Sequence, residues 1–135
     1  MPFSEIERFG LEVYYNGDRA MTEFKIKCYK STGHTWNYIG MYTPDFLIIQ
    51  RRGTRIHKAL IVETKGEIYA NDPTFKDKRA FMESEFLRQN NGVFGYERFE
   101  YLYLEDTMAD KDRIVLTHRK ICEFFEENYG GFFGL

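Results

Sequence analysis

Two acidic residues and one lysine stand at the ends of short apolar runs in the middle of the chain. Asp45 precedes the run 46–49, and Glu63 and Lys65 follow the run 59–62. Carboxylates in such places are costly to bury unless they are paired or bound to a metal ion. Carboxylate oxygens suit Mg²⁺, which typically takes one or two carboxylates with water and substrate phosphate. The three residues therefore indicate metal-dependent hydrolysis of a phosphodiester, with the lysine holding or activating the attacking water.

The spacing of these residues favours a common pocket. The two apolar runs flank a polar segment with a glycine, which predicts a β-hairpin. If the turn is symmetric about Thr54, Asp45 falls opposite Glu63. Because side chains alternate across a strand, Glu63 and Lys65 share a face, and the same register puts Asp45 on that face. A one-residue bulge would break this parity. The prediction is a cluster of two carboxylates and one ammonium group far from the turn.

Two segments around these residues carry a family resemblance. Tyr42-Thr43-Pro44-Asp45-Phe46 and Ile61-Val62-Glu63-Thr64-Lys65-Gly66 resemble the PD-(D/E)xK signature of a nuclease superfamily. More narrowly, they are similar to the endonuclease domain of type III restriction helicase–nuclease subunits, over roughly residues 42–90. The resemblance implies a restriction-endonuclease-like sandwich and an endonuclease that hydrolyses DNA in restriction-modification, phage or mobile-element biology. It implies Mg²⁺ as the cofactor, with Mn²⁺ as a substitute.

The resemblance also implies a role for each residue of the site. Asp45 and Glu63 would hold Mg²⁺ together with the backbone carbonyl of Thr64, and Lys65 would position the water. No glutamine-tyrosine motif of the RecB-like branch follows Lys65, which argues against an exonuclease. A helicase motor is not part of these 135 residues. A larger helicase or recognition subunit is therefore an expected partner, and a homodimer is the alternative.

Many members of this superfamily add a glutamate from the first helix to the metal site. Glu7 is the candidate for that role and Glu5 is the runner-up. A structural interpretation stands beside it, because Ser4 and Glu7 have the spacing of a capping box at the start of a helix.

Basic side chains form two groups that are candidate DNA contacts. Arg51, Arg52 and Arg55 occupy the polar segment between the apolar runs, and Lys76 and Lys78 open the helix that follows. Phosphate contacts of this kind position a nucleic acid. A solvated turn and a solvated helix face are the alternatives.

The overall charge of the chain argues against strong DNA binding by this chain alone. The net charge is −2, which argues against a free-standing DNA binder, since phosphate contacts need Lys and Arg. Residues 1–95 hold 14 basic and 12 acidic side chains, whereas residues 96–135 hold 5 and 9. A DNA-facing surface is therefore expected in the first part of the chain, and a partner is expected to supply part of the grip.

Composition predicts one folded domain over residues 1–135. The chain is 43% hydrophobic and 18% aromatic, as expected for a globular protein. It has no run of about 18 apolar residues, so no membrane partner is expected, and it has no secretory signal. Cys28 and Cys122 are predicted to be buried thiols in a reducing cytoplasm, with a disulfide as the alternative. His34, His57 and His118 are not spaced as ligands and are expected on the surface or in packing.

Hydrophobic periodicity completes the fold prediction. Strands are expected at 11–15, 22–29, 36–41, 42–50, 58–66 and 99–104, and helices near the N-terminus and at 74–90 and 113–128. The two hairpin strands are apolar at nearly every position and should be central, covered on both faces. This order predicts an α/β sandwich with a mixed central β-sheet flanked by helices.

Two other functions remain open at this point. One is a catalytically inactive module of the same fold that binds nucleic acid or serves assembly. The other is a metal-dependent hydrolase with a non-nucleic substrate. The intact set of Asp45, Glu63 and Lys65 argues against the inactive module, because an idle domain has no reason to keep a costly cluster.

Overall fold

The computed structural model describes residues 3–15, 26–65, 71–105 and 107–126. These residues form four α-helices, one π-helical segment and six strands. In chain order they are α1 (Phe3–Phe9), β1 (Leu11–Tyr15), β2 (Ile26–Thr32), β3 (Thr35–Tyr42), β4 (Phe46–Arg52), β5 (Arg55–Lys65), α2 (Pro73–Phe81), the π-helical segment (Met82–Phe86), α3 (Leu87–Phe94), β6 (Phe99–Glu105) and α4 (Asp110–Phe125).

Four of the strands form a mixed sheet in the order β1-β4-β5-β6. Strand β4 pairs antiparallel with β1 and β5, and β5 pairs parallel with β6. Parallel neighbours need a long crossover, which here contains α2, the π-helical segment and α3. Strands β2 and β3 form a separate two-stranded sheet. The α/β class with a mixed sheet is confirmed, and β4 and β5 are its central strands.

Each face of the sheet is covered by its own helices. Because side chains alternate along a strand, neighbouring residues of β5 enter different cores: Ile61 packs against the π-helical segment, and Leu60 packs against α4. Both side chains are fully buried, and each such burial contributes about 1.5–3 kcal/mol. Helix α1 joins α4 on its side of the sheet. The two faces are called the α2 face and the α4 face below.

The predicted hairpin register is confirmed along the body of β4 and β5. Phe46 pairs with Val62, and the ladder continues in step to the pair Gln50 and Lys58. Extending this register by one residue puts position 45 opposite position 63, as the spacing predicts.

The turn itself differs from the prediction. Arg52 pairs with Arg55, so the turn is the two residues Gly53 and Thr54 and is not symmetric about Thr54. Gly53 has φ +65°, which a type II′ turn requires at its first position. His57 is an extra residue on β5, because the register shifts between Gln50 and Arg51. Because this bulge adds one residue to β5, the body of the hairpin keeps the predicted register although the turn differs from the prediction.

Other element bounds differ by a few residues. Strand β2 runs to Thr32, and residues 22–25 of the predicted strand lie outside the described part. Helix α4 begins three residues before the predicted start. The capping box is wrong: α1 already includes Ser4, whose hydroxyl donates to Glu5 Oε1 at 3.2 Å. Among the described helices, none combines the length and the apolar character needed to cross a membrane.

Helix α2 has a well-formed start that yields a test of the fold. Asp72 Oδ2 accepts a hydrogen bond from the Phe75 amide at 2.9 Å, and Pro73 occupies the first helical turn. We expect Asp72→Ala to lower the free energy of unfolding by about 0.5–2 kcal/mol, since the cap is lost. Asp72→Asn keeps the acceptor and should be near wild type in urea unfolding. Equal losses in both variants would contradict the capping role.

Candidate active site

Asp45 lies at a bend immediately before β4 and is half-buried. Its Oδ2 accepts hydrogen bonds from the Thr64 amide at 3.0 Å and from the Thr64 hydroxyl at 2.9 Å. Within the described ranges, Oδ1 has no hydrogen-bond partner. The carboxylate therefore continues the sheet's hydrogen bonding past the end of β4 and keeps one oxygen available to a further ligand.

Glu63 is buried in β5, with 0% of its surface exposed. Its Oε1 accepts a hydrogen bond from the Tyr42 hydroxyl at 2.7 Å, and that hydroxyl lies 3.4 Å from the hydroxyl of Tyr101. Burial, followed by the neighbouring Tyr101 and Glu63, holds the pKa of Tyr42 far above its ordinary range. Tyr42 therefore stays neutral at physiological pH and donates its proton, which fixes Glu63 as the acceptor.

The sheet explains how Glu63 comes to lie in this environment. Ile61 and Glu63 are two residues apart on β5 and belong to the α2 face, where Tyr42 and Tyr101 also pack. Lys65 is the last residue of β5 and pairs in register with Glu105 of β6. The side chain of Lys65 lies outside the described part of the structure.

A cleft of about 300 Å³ opens beside Tyr42, within the size range of small ligand sites. It is formed between the end of β3 and the start of α2, and its lining includes Asp72, Phe75 and Lys78. Lys78 Nζ donates to the Met41 carbonyl at 2.8 Å. This contact holds one of the predicted DNA-binding lysines next to the tyrosine that contacts Glu63. Lys76 lies in the same helical turn as the lining residues Phe75 and Lys78 and is exposed.

The two N-terminal glutamates lie elsewhere. Helix α1 packs into the core of the α4 face, whereas Glu63 belongs to the α2 face. Glu7 is exposed on that helix, so the structure does not bring it together with Glu63. Glu5 is buried against α4, and its Oε2 accepts from the thiol of Cys122 at 3.4 Å.

The basic hairpin tip lies at the opposite end of the sheet from Asp45. Strand β4 separates the two by about 20 Å at roughly 3.3 Å per residue, which matches about six phosphates along one DNA strand. Arg51 Nε pairs with Glu12 Oε2 of β1 at 2.7 Å. Arg52 and Arg55 flank the turn and are exposed. The tip is therefore too far from Asp45 for both to contact the same small group.

Comparison with family models, with curated proteins and with solved structures finds no significant match. Function is therefore inferred from the residues of the site. The structure brings Asp45 to Thr64, and it brings Glu63, the neighbour of Thr64 in β5, to Tyr42. Sequence reasoning missed Tyr42 as a partner of Glu63, although this tyrosine stands three residues before Asp45.

Proposed function

We propose that this chain is a Mg²⁺-dependent endonuclease that hydrolyses DNA phosphodiester bonds. In this proposal Asp45 and Glu63 hold the ion and Lys65 positions the attacking water. The observation that carries the proposal is the pairing of Asp45 with Thr64 beside the buried Glu63. The Asp45 carboxylate is thereby held at Thr64, the residue that follows Glu63 in the central strand β5.

The chemistry of these residues fits Mg²⁺. The donors are carboxylate oxygens, with the Thr64 carbonyl as a third oxygen, and a hard cation prefers such ligands. Asp45 offers Oδ1 while Oδ2 is held by Thr64. When bound, Mg²⁺ polarises the phosphodiester and lowers the pKa of the attacking water.

The surrounding residues prepare the site for this chemistry. The Tyr42 hydroxyl orients the Glu63 carboxylate, as hydrogen-bonded partners of metal ligands do. Glu63 is buried, and charge interactions are stronger in the interior, where the dielectric constant is lower than in water. That Lys65 shares the face of Glu63 stays a prediction from the alternation of side chains along a strand. Lys78 in the adjoining cleft is suited to bind a phosphate of the substrate.

One observation favours a second candidate, an inactive module that binds nucleic acid or serves assembly. Both carboxylates have a structural role, because Asp45 accepts a hydrogen bond from Thr64 and Glu63 accepts one from Tyr42. Such a module would bind DNA in a salt-sensitive way and cut nothing.

Nicking of supercoiled plasmid separates the two candidates. The endonuclease should convert plasmid to the open-circular form with Mg²⁺ or Mn²⁺ and should stop when a chelator is added. Parallel reactions with single-stranded DNA, RNA and a small-molecule phosphodiester define the substrate class. Binding without metal-dependent nicking would support the inactive module and refute the endonuclease.

The hairpin tip provides a test of DNA contact. We expect replacement of Arg52 and Arg55 by Gln to weaken DNA binding similarly for all sequences. Each lost phosphate contact should flatten the plot of log K against log salt by about 0.9 for duplex DNA. Affinity is measured at several salt concentrations. The control is Arg119→Gln, an exposed arginine of α4, which should leave the slope unchanged. An unchanged slope in the double variant would remove the tip from the interface.

The proposal includes partners that complete the DNA grip. With a net charge of −2, this chain has no overall electrostatic attraction for phosphates. A larger helicase or recognition subunit would supply additional positive charge, and a second copy of the chain would place a second site on the opposite strand. Measurement of the molecular mass in solution, with and without DNA, shows whether two copies of the chain associate.

A further inference from the structure

A second cluster of metal-binding side chains lies on the other side of the sheet, between α1 and α4. It consists of Glu5 from α1 and of His118 and Cys122 from α4. The two α4 residues are four apart, so they lie on one face of the helix. Glu5 is buried, Cys122 is half-buried, and the side chain of His118 is 45% exposed.

The distances within this cluster match those of a tetrahedral metal site. Cys122 Sγ lies 3.4 Å from Glu5 Oε2 and 3.8 Å from His118 Nε2, and His118 Nε2 lies 3.7 Å from Glu5 Oε1. Zn²⁺ bonds of about 2.0–2.3 Å to oxygen, nitrogen and sulfur separate tetrahedral ligands by roughly 3.3–3.6 Å. One ligand atom from each residue lies within 4.8 Å of the other two, so side-chain rotations would bring one oxygen, the nitrogen and the sulfur to bonding distance of one ion.

We propose that Glu5, His118 and Cys122 bind one borderline-soft divalent cation of the Zn²⁺ class, which ties α1 to α4. The thiolate and the imidazole select this class over Mg²⁺, which prefers oxygen. Three protein ligands leave the fourth position to water. The site is separate from the proposed nuclease site, because α1 and α4 cover the face of the sheet opposite Glu63.

The charges around the cluster are compatible with a bound cation. The Glu5 carboxylate accepts a hydrogen bond from the Cys122 thiol at 3.4 Å. The thiol donates that hydrogen bond, and its proton passes to solvent when the metal binds. Arg8 contacts Glu5 at 3.2 Å but also approaches Glu126 at 3.9 Å. Because Arg8 is 56% exposed, it can turn to Glu126 when Glu5 binds the ion.

The test uses the metal-free full chain, with Zn²⁺ and Co²⁺ as probes. We expect one Zn²⁺ per chain in competition with a chromophoric chelator, and a rise in melting temperature as the ion binds the folded state. Co²⁺ should give the charge-transfer absorption of a thiolate ligand. Cys122→Ser should abolish that absorption, and His118→Ala and Cys122→Ser should each weaken Zn²⁺ binding by at least about tenfold.

Two control variants make the result specific. Glu123→Gln changes an exposed acid next to Cys122 and should bind Zn²⁺ as the wild type does. Asp45→Asn alters the proposed nuclease site and should also keep full Zn²⁺ affinity, so failure of one proposal does not imply failure of the other. Circular dichroism verifies that each variant is folded. Absence of the thiolate band, undiminished Zn²⁺ binding in folded Cys122→Ser, or loss of Zn²⁺ in Asp45→Asn would each overturn the proposal.

Discussion

Replacing Asp45 by Asn is expected to lower the rate of Mg²⁺-dependent plasmid nicking by at least about 10²-fold, the lower end of what a positioned catalytic group contributes. Asn keeps an oxygen that can accept from Thr64 but loses the negative charge that Mg²⁺ needs. Lys65→Ala is expected to cause a loss of the same order, because the attacking water loses its cationic partner. Initial rates at saturating DNA measure both effects.

The matched controls are the exposed residues Asp112 and Lys111 at the start of α4. Asp112→Asn and Lys111→Ala carry the same changes of charge and should nick at the wild-type rate. DNA binding by the Asp45 variant should persist, which separates loss of chemistry from loss of substrate. Equal nicking by the wild type, Asp45→Asn and Lys65→Ala would identify a contaminating nuclease and end the proposal.

The largest expected effect on stability comes from the core of the α4 face. Phe125 is fully buried, and its ring centroid lies 4.9 Å from that of Phe124. We expect Phe125→Ala to lower the free energy of unfolding by about 3–5 kcal/mol, since it removes buried apolar surface and leaves a cavity. Urea denaturation monitored by circular dichroism measures the change.

Val115 supplies the control on the same helix. Its side chain is 52% exposed, and Val115→Ala should change the free energy of unfolding by no more than about 0.5 kcal/mol. A loss below 1 kcal/mol in Phe125→Ala would mean that α4 does not pack on the sheet as described. The nuclease proposal would be unaffected, because Glu63 lies with Tyr42 on the α2 face of the sheet.

The central hairpin was the part of the fold most open to prediction. Its two apolar runs around a glycine-containing polar segment predicted both strands. The register was predicted from a turn centred on Thr54, and the pairing of Phe46 with Val62 agrees with it because the extra residue His57 compensates for the different turn. The turn was mispredicted because Gly53-Thr54 and the extra residue His57 are local choices that leave the register of the strand body intact.

The polar contacts of the site were less accessible to sequence reasoning. The residue types and spacing of Asp45 and Glu63 indicated that both belong to one end of the hairpin. The donor to Glu63 could not be inferred, because Tyr42 comes from a strand of the separate two-stranded sheet. Its position depends on how that sheet packs, which no local pattern encodes.

The cluster of Glu5, His118 and Cys122 could also be predicted from the sequence only in part. The spacing of His118 and Cys122 is visible as a helical i, i+4 pair once a helix is predicted there. The prediction that the histidines are not spaced as ligands stays open, and the Zn²⁺ titration tests it for His118. The third member, Glu5, is 113 residues away from His118 and joins the cluster only because α1 packs on α4. The resemblance made Glu5 the runner-up to Glu7 for the metal site of the other face, and the packing of α1 places it elsewhere.

The two-residue turn between β4 and β5 has a consequence for the order in which the protein forms. Asp45 and Thr64 lie on adjacent arms of this hairpin, and isolated hairpins close in about 1–10 μs. Strand β6 pairs with β5 only after the intervening helices have folded, and such distant parallel pairing is intrinsically slow. We therefore expect the contact between Asp45 and Thr64 to arise early, while the ribosome is still adding the C-terminal third of the chain.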